Sequence, residues 1–320
     1  MYQRTDFANH ISYQAKRADA GPVPPIMAAH FDVPGRPRAI PMNANCLCGP
    51  ALLPNHRPTG PQRLCFTEHL SDLIAAEAAP HSSETVTTMT ITPTEAARTA
   101  RLLDAEAKAA ALFAEVERRG MIAPGRRDRE VSDHIRELAN DMFDVRKFWH
   151  KRIVRSGPHT LQPYRQNPPD RVIEADDIVF CDFGPIFDGW EADFGRTFVL
   201  GDDPVKRRLL DDLPEVFDAG RRHFQQHPDI TGEELFVEIV RLTAERGWDY
   251  GGPHAGHLVG EFPHERINGD DIEYYIAPGS TDRMRRADRV GHTCHWILEV
   301  HLIDRQRQIG GFYEQLLDLP

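Results

Sequence analysis

No run of about 18 apolar residues interrupts the 320-residue chain, so no helix is expected to span a membrane. A basic excess is missing too. With 38 Lys and Arg against 49 Asp and Glu, the formal charge is −11, which excludes the electropositive footprint of a nucleic-acid or anionic-membrane binder. An even cysteine framework is absent: the five cysteines are irregularly spaced, which fits a reducing compartment better than a disulfide scaffold. The N-terminus lacks a basic stretch followed by an apolar one, so a secretory leader is not expected and a cytoplasmic location is.

Proline is plentiful but unevenly placed. Residues 1–88 hold eleven of the 25 prolines, and their basic and acidic residues balance, so the remaining residues carry the whole −11. No apolar period survives in this segment. It reads either as a disordered extension or as sequence upstream of a mis-assigned start at Met89, with one catalytic domain expected over 89–320.

From Met89 onward the periodicities are clear. Thr92-Pro93-Thr94-Glu95 reads as a capping box, followed by a helix with Leu102, Ala105, Ala109, Leu112 and Val116 on one face. A second helix is expected over about 129–143. Two strand-like stretches, 176–187 and 189–200, are joined through Asp188-Gly189, a hairpin-type turn pair. The order then repeats: a helix over roughly 205–225, bent or broken at Pro214, another over about 232–246 capped by Thr231 and Glu234, then strands over 256–260, 295–304 and 310–317. Helix, helix, strands, twice over, indicates an α+β fold of two architecturally duplicated halves, with helices covering one face of a curved sheet.

Carboxylates occur where strands should be apolar. Asp182 lies in IVFCDF, Asp193 in WEADFGRTFV, Glu299 in HWILEVHLI and Glu314 in GGFYEQLL. Singly, each reads as an edge or hairpin residue facing water. Together they call for a common positive partner, because a buried ionised carboxylate costs several kcal/mol unless it is paired or bound to a metal. Arg196 is the one basic residue in those strand cores, so an oxygen-rich centre able to hold two divalent ions is the economical answer. A glycine-flanked histidine, His257 in GHLVG, and His264 seven positions on add a second signal. A zinc site built from His292, His295, Glu299 and His301 alone is disfavoured, since it leaves Asp182, Asp193 and His257 unexplained. Cys181 should face the core, Trp190, Trp248 and Trp296 should be packing or pocket wall, and Arg207-Arg208 and Arg221-Arg222 should be solvated helix surface.

These motifs, in this order and with eleven positions between the aspartates, resemble the pita-bread metallopeptidase superfamily. That group includes methionine aminopeptidase, Xaa-Pro aminopeptidase, prolidase and the metal-free creatinase; the Xaa-Pro aminopeptidase branch is the most similar. The resemblance covers about 92–320 and implies a role for each matching residue. Asp182 would bind one ion, Asp193 and Glu314 would bridge two, and His257 and Glu299 would complete the other. Two divalent ions are implied, drawn from manganese, cobalt, iron or zinc, with manganese favoured. Glu299 would take a proton from the attacking water, and His264 would hydrogen-bond the scissile carbonyl or its oxyanion. The substrate would be a peptide or a small-molecule amide; no nucleic acid or membrane is implied, and a homodimer is compatible.

Two positions depart from the family. The peptidases carry a substrate-contacting histidine about eighteen positions before the first aspartate, where this chain has Tyr164. His159, five residues away, is the candidate substitute. An arginine two residues before the last glutamate is replaced by Phe312. A non-catalytic peptide-binding scaffold and a hydrolase of a small non-peptide amide therefore stand beside the aminopeptidase reading.

Overall fold

Helix α1 (Glu95–Arg118) starts at Thr94, whose hydroxyl accepts from the Ala97 amide at 3.3 Å. The cap is thus two residues later than the sequence suggests. In this computed structural model the described residues are 94–263 and 271–319, so Thr92, Pro93 and the readings made for 1–88 lie outside them. Leu102, Ala105, Ala109, Leu112 and Val116 bury one face of α1, and Val131, Ile135 and Leu138 do the same for α2 (Asp128–Phe143). Asp144, at φ 54°, ends α2 in the left-handed conformation.

The strands are β1 (Ile153–Ser156), β2 (Ile178–Phe183), β3 (Ile186–Phe187), β4 (Trp190–Glu191), β5 (Phe194–Val199), β6 (Asp249–Tyr250), β7 (Gly256–Val259), β8 (His295–Asp304) and β9 (Ile309–Leu316). They form a sheet in the order β1-β2-β5-β9-β8-β6, with β7 also on β8 and every pairing antiparallel; β3 and β4 make a separate hairpin. Asp188 and Gly189 turn that hairpin with φ of 51° and 87°, the pair of positive values that a two-residue connection between right-twisted strands needs. The two long stretches expected around this turn are each divided, because the chain leaves the main sheet after Phe183 and rejoins it at Phe194. Helices α3 (Pro204–Gln226) and α4 (Gly232–Glu245) precede β6–β9 as α1 and α2 precede β1–β5, which gives the duplicated α+β plan. Strands β1 and β6 are too short to carry a readable period.

Strand alternation separates a helix-facing side from a cleft-facing side. On β2, Val179, Cys181 and Phe183 join the core under α1 and α2, whereas Phe180 and Asp182 point the other way and line a cleft. On β8, Trp296, Leu298, Val300 and Leu302 pack in the core of α3 and α4, while Glu299 and His301 reach the cleft. Helix α3 runs unbroken through Pro214, so of the bend or break expected there the break does not occur. Proline costs a helix interior about 3 kcal/mol, but Leu209, Leu213, Val216 and Phe217 are fully buried on either side of it, each contributing about 1.5–3 kcal/mol. Leu213→Ala should accordingly lower the unfolding free energy by about 2–5 kcal/mol in a denaturant titration; a change below about 1 kcal/mol would mean that this face does not hold the helix.

Trp190, Trp248 and Trp296 are buried as packing residues, Trp248 donating to Asp212 and Trp296 to the Met284 carbonyl. Arg207, Arg208 and Arg222 are exposed as expected. Arg221 is not: its guanidinium lies over Phe217 and donates to the Leu316 carbonyl, tying α3 to the end of β9.

Candidate metal centre

Sheet register alone brings three of the carboxylates into one row. Asp182 pairs with Gly195, Gly195 with Glu314, and Glu314 with Glu299, across β2, β5, β9 and β8. Like charges directly opposite one another destabilise a sheet, so this row demands a compensating charge. Gly195 keeps the middle of it open; a Cβ there would lie 2.6 Å from Phe312 and 2.9 Å from Glu314. Asp193 enters two residues before Gly195. His257 arrives on β7, paired with Ile297 of β8. All five residues line one cleft of about 530 Å³, walled by Trp149, Phe180, Tyr275 and Phe312.

Asp193 sits at the centre, 2% exposed. Its Oδ1 accepts from His150 Nε2 at 3.0 Å and its Oδ2 from His257 Nε2 at 3.1 Å. His257 Nε2 is also 3.7 Å from Glu299 and 3.9 Å from Glu314. Three ligand atoms from His150, Asp182 and Asp193 lie within 4.8 Å of one another, and so do three from Asp193, His257 and Glu314. Asp182 Oδ1 and Glu314 Oε2 are buried without a hydrogen-bond partner. Orphaned carboxylate oxygens of this kind are costly, and a divalent cation is the partner that satisfies them with the hard, oxygen-rich donor set present here.

The electrostatics express the same deficit of positive charge. Burial, followed by repulsion from Asp193 and Glu299, pushes the Asp182 carboxyl up to about 7, although the His150 charge opposes this. Burial and the neighbouring carboxylates raise Glu314 well above its usual range. For Asp193 burial acts in the same direction, but the His150 and His257 imidazoles override it and hold the carboxyl below the usual range. Burial also resists protonation of both imidazoles, yet the surrounding carboxylates raise each to about 9.

The remaining sequence candidates fall in different places. Tyr164 lies at the cleft with its ring 5.9 Å from that of His150 and the Lys151 ammonium 4.4 Å from its centroid. His159 is half-buried on the 3₁₀ turn Gly157–Leu161, near Arg171 and Arg155, and is not among the residues lining the cleft. That turn is clamped by Thr160, whose hydroxyl accepts from the Gly310 amide at 2.8 Å and whose carbonyl accepts from His301 Nε2 at 2.8 Å. His264 lies outside the described residues. His295 and His301 do not converge with His292: His295 bridges Asp318 and Glu95 at 2.8 Å each, and His301 serves Thr160. Phe312 packs with Phe180 and Ile153, and Arg196 serves main-chain carbonyls at Gly195 and Glu314 rather than a carboxylate of the centre.

Four residues of the cleft escaped the sequence reading. His150 and Trp149 belong to an irregular segment with no period to expose them. Arg155 is a buried cation on β1, its guanidinium spent on the Gln162 and Gln166 carbonyls and its charge felt by Asp182. His254, whose Nδ1 is 3.3 Å from Glu299, was visible as a second histidine three positions before His257 in a glycine-rich stretch.

Known proteins share this arrangement of elements. The Xaa-Pro dipeptidase of Pyrococcus furiosus is 30% identical over 146 residues, 45% of this chain and 41% of the relative. A crystal structure of a dipeptidase from Pyrococcus horikoshii superposes with a TM-score of 0.55 at 19% identity, covering 68% of this chain and 55% of that one. The X-Pro aminopeptidase of Thermotoga maritima gives a TM-score of 0.55 at 19% identity, with 72% and 60% coverage. These likenesses establish the pita-bread fold, and the chain spans about two fifths of the length of the curated relatives it matches. Residues 100–292 match the model of metallopeptidase family M24, and the chain belongs to that family.

Proposed function

We propose that the protein is a metal-dependent hydrolase that removes the N-terminal residue from short peptides, with proline favoured in second place. The observation that carries this reading is the convergence of Asp182, Asp193, His257, Glu299 and Glu314 on one cleft, with Asp182 Oδ1 and Glu314 Oε2 buried and unpartnered. Two divalent cations are proposed, manganese first among them, held by Asp182 on one side, His257 and Glu299 on the other, and Asp193 and Glu314 between. When bound, such cations supply Lewis acidity that brings water towards neutral pKa and polarises a carbonyl.

The protein's own groups do the rest. Glu299 Oε1, 3.3 Å from His254 and 3.7 Å from His257, is the proton acceptor for the attacking water. His264 is assigned to hydrogen-bond the carbonyl oxygen as it gains charge. Aromatic walls and the Pro163, Pro253 and Pro263 rings at the cleft suit a pyrrolidine. Tyr164 is proposed to contact the substrate from the mouth, its phenol donating a hydrogen bond there. The free, buried thiol of Cys181 agrees with a reducing, cytoplasmic setting, and no described helix is long and apolar enough to cross a membrane.

The full chain should be stripped with chelator, reloaded with Mn²⁺ or Co²⁺, and assayed against Xaa-Pro and Met-Ala peptides. Release of the first residue from Xaa-Pro substrates by the reloaded protein, and not by the stripped one, is the expected result. Confirmed cation uptake without turnover of any peptide would overturn the peptidase reading and favour the scaffold or a small amide.

A further inference from the structure

His150 is placed by more than its neighbours in sequence. The segment that carries it is laced to the connection between the two aspartate strands: the Trp149 amide donates to the Gly184 carbonyl at 2.9 Å, Ile186 donates to the Lys147 carbonyl at 3.1 Å, and the Trp149 indole donates to the Ala192 carbonyl at 3.0 Å. Gly184 makes the space. A Cβ at that position would lie 2.2 Å from His150 Cδ2, 2.4 Å from its Nε2 and 2.4 Å from the indole nitrogen of Trp149. The indole packs against both imidazoles of the centre, with ring centroids 4.5 Å from His150 and 5.2 Å from His257.

The two imidazoles are then arranged alike. His150 Nδ1 donates to the Lys151 carbonyl at 2.8 Å, and His257 Nδ1 donates to the Leu258 carbonyl at 2.8 Å; each bond runs to the next residue along the chain. A main-chain acceptor on Nδ1 fixes the ring and leaves Nε2 as the ligating atom, the usual support for a metal-bound histidine. The two Nε2 atoms address opposite oxygens of Asp193, at 3.0 and 3.1 Å. His150 Nε2 is in addition 3.6 Å from Asp182 Oδ1, the oxygen left without a hydrogen-bond partner.

We propose that His150 is a sixth protein ligand of the centre, completing the cation on the Asp182 side as His257 completes its neighbour. The inference rests on reading the cluster as a two-cation site, and it goes beyond the five-residue set that the family resemblance implies. Each cation then has one imidazole and shares Asp193 and Glu314. An imidazole on the Asp182 side moves that position away from magnesium and calcium, which prefer oxygen alone, towards cobalt, iron or zinc. It also separates two duties: His150 binds the cation, and Tyr164 is left to meet the substrate.

The test uses the stripped full chain and Co²⁺ alone. Wild-type protein should take up two Co²⁺ per chain in equilibrium dialysis with metal analysis. His150→Ala should keep one tightly bound and bind the second at least ~10-fold more weakly, the lower bound seen when even an indirect partner of a ligand is lost. The visible absorption of the Co²⁺ form should lose intensity in step. Because the alanine variant removes a buried cation from among carboxylates, proton NMR of the unmutated Co²⁺ protein provides a reading independent of its folding. Two strongly shifted, solvent-exchangeable imidazole N–H signals, from Nδ1 of His150 and His257, support the proposal; one such signal overturns it. His150→Ala that retains both cations at wild-type affinity while losing turnover would make His150 a substrate contact and overturn the ligand assignment. Wild-type protein that takes up no cation would overturn the two-cation reading itself.

Discussion

Asp193→Ala is expected to empty both cation positions and to lower peptide turnover by more than ~10²-fold, beyond what loss of an indirect partner of a ligand costs. Both carboxylate oxygens of Asp193 are engaged, one with His150, which also lies 3.6 Å from Asp182, the other with His257, which also lies 3.9 Å from Glu314. Among the described residues no other carboxylate lies against both imidazoles. Removing it takes a negative charge from beside the row of Asp182, Glu314 and Glu299, but it leaves two buried imidazoles without their shared acceptor, so neither half of the centre keeps its geometry. Asp193→Asn preserves the shape and removes only the charge; it should lose the cations with less cost to folding. Metal content per chain, circular dichroism and turnover with an Xaa-Pro peptide, measured together, separate these effects. One cation retained at full occupancy in the alanine variant would show that Asp193 serves a single position and does not bridge.

The carboxylates of this centre were legible because their physics is local. A charge inside IVFCDF or HWILEVHLI is costly wherever the strand ends up, so the sequence announces a need even before the partner is known. The Asp188-Gly189 turn was legible for the same reason, since both residues tolerate positive φ and the hairpin requires it. The partners were harder. Register, which sets Asp182, Gly195, Glu314 and Glu299 in one row, is a property of strand pairing and not of any one strand. His150 was invisible because its segment has no period; the segment's bonds to Gly184, Ile186 and Ala192 carry it to the site. His159 looked closer to the empty histidine position in sequence, yet the turn pinned by Thr160 keeps it out of the cleft. Pro214 shows the converse: a strong local signal for a break is overruled by a buried face that only the tertiary structure supplies.

Removing the cations should make the protein progressively less stable, relative to its loaded form, as pH rises from about 5 to about 9. In the metal-free protein His150 and His257 hold protons up to about 9 instead of the ordinary 6.5; burial opposes this, and the carboxylates around them prevail. Asp182, raised to about 7 by burial and then by its acidic neighbours, and Glu314, raised further by the same causes, hold protons that the unfolded chain has already released. The folded state therefore binds more protons than the unfolded one across this window. Stability from the imidazoles is fully present below about 6.5 and lost as pH climbs through about 9, while the cost of ionising Asp182 grows between 3.8 and about 7. Asp193 has the opposite sign, but its depressed carboxyl acts below 3.8, outside the window. Loaded protein has exchanged these protons for cations, and its affinity for them rises with pH. Titrating groups elsewhere are common to both forms and cancel in the difference. Melting temperatures with and without chelator should diverge by more than ~4 °C over this range, about 1–2 kcal/mol for a domain of this size. A gap that stays constant or narrows would mean that the protons and the cations do not compete for the same buried atoms.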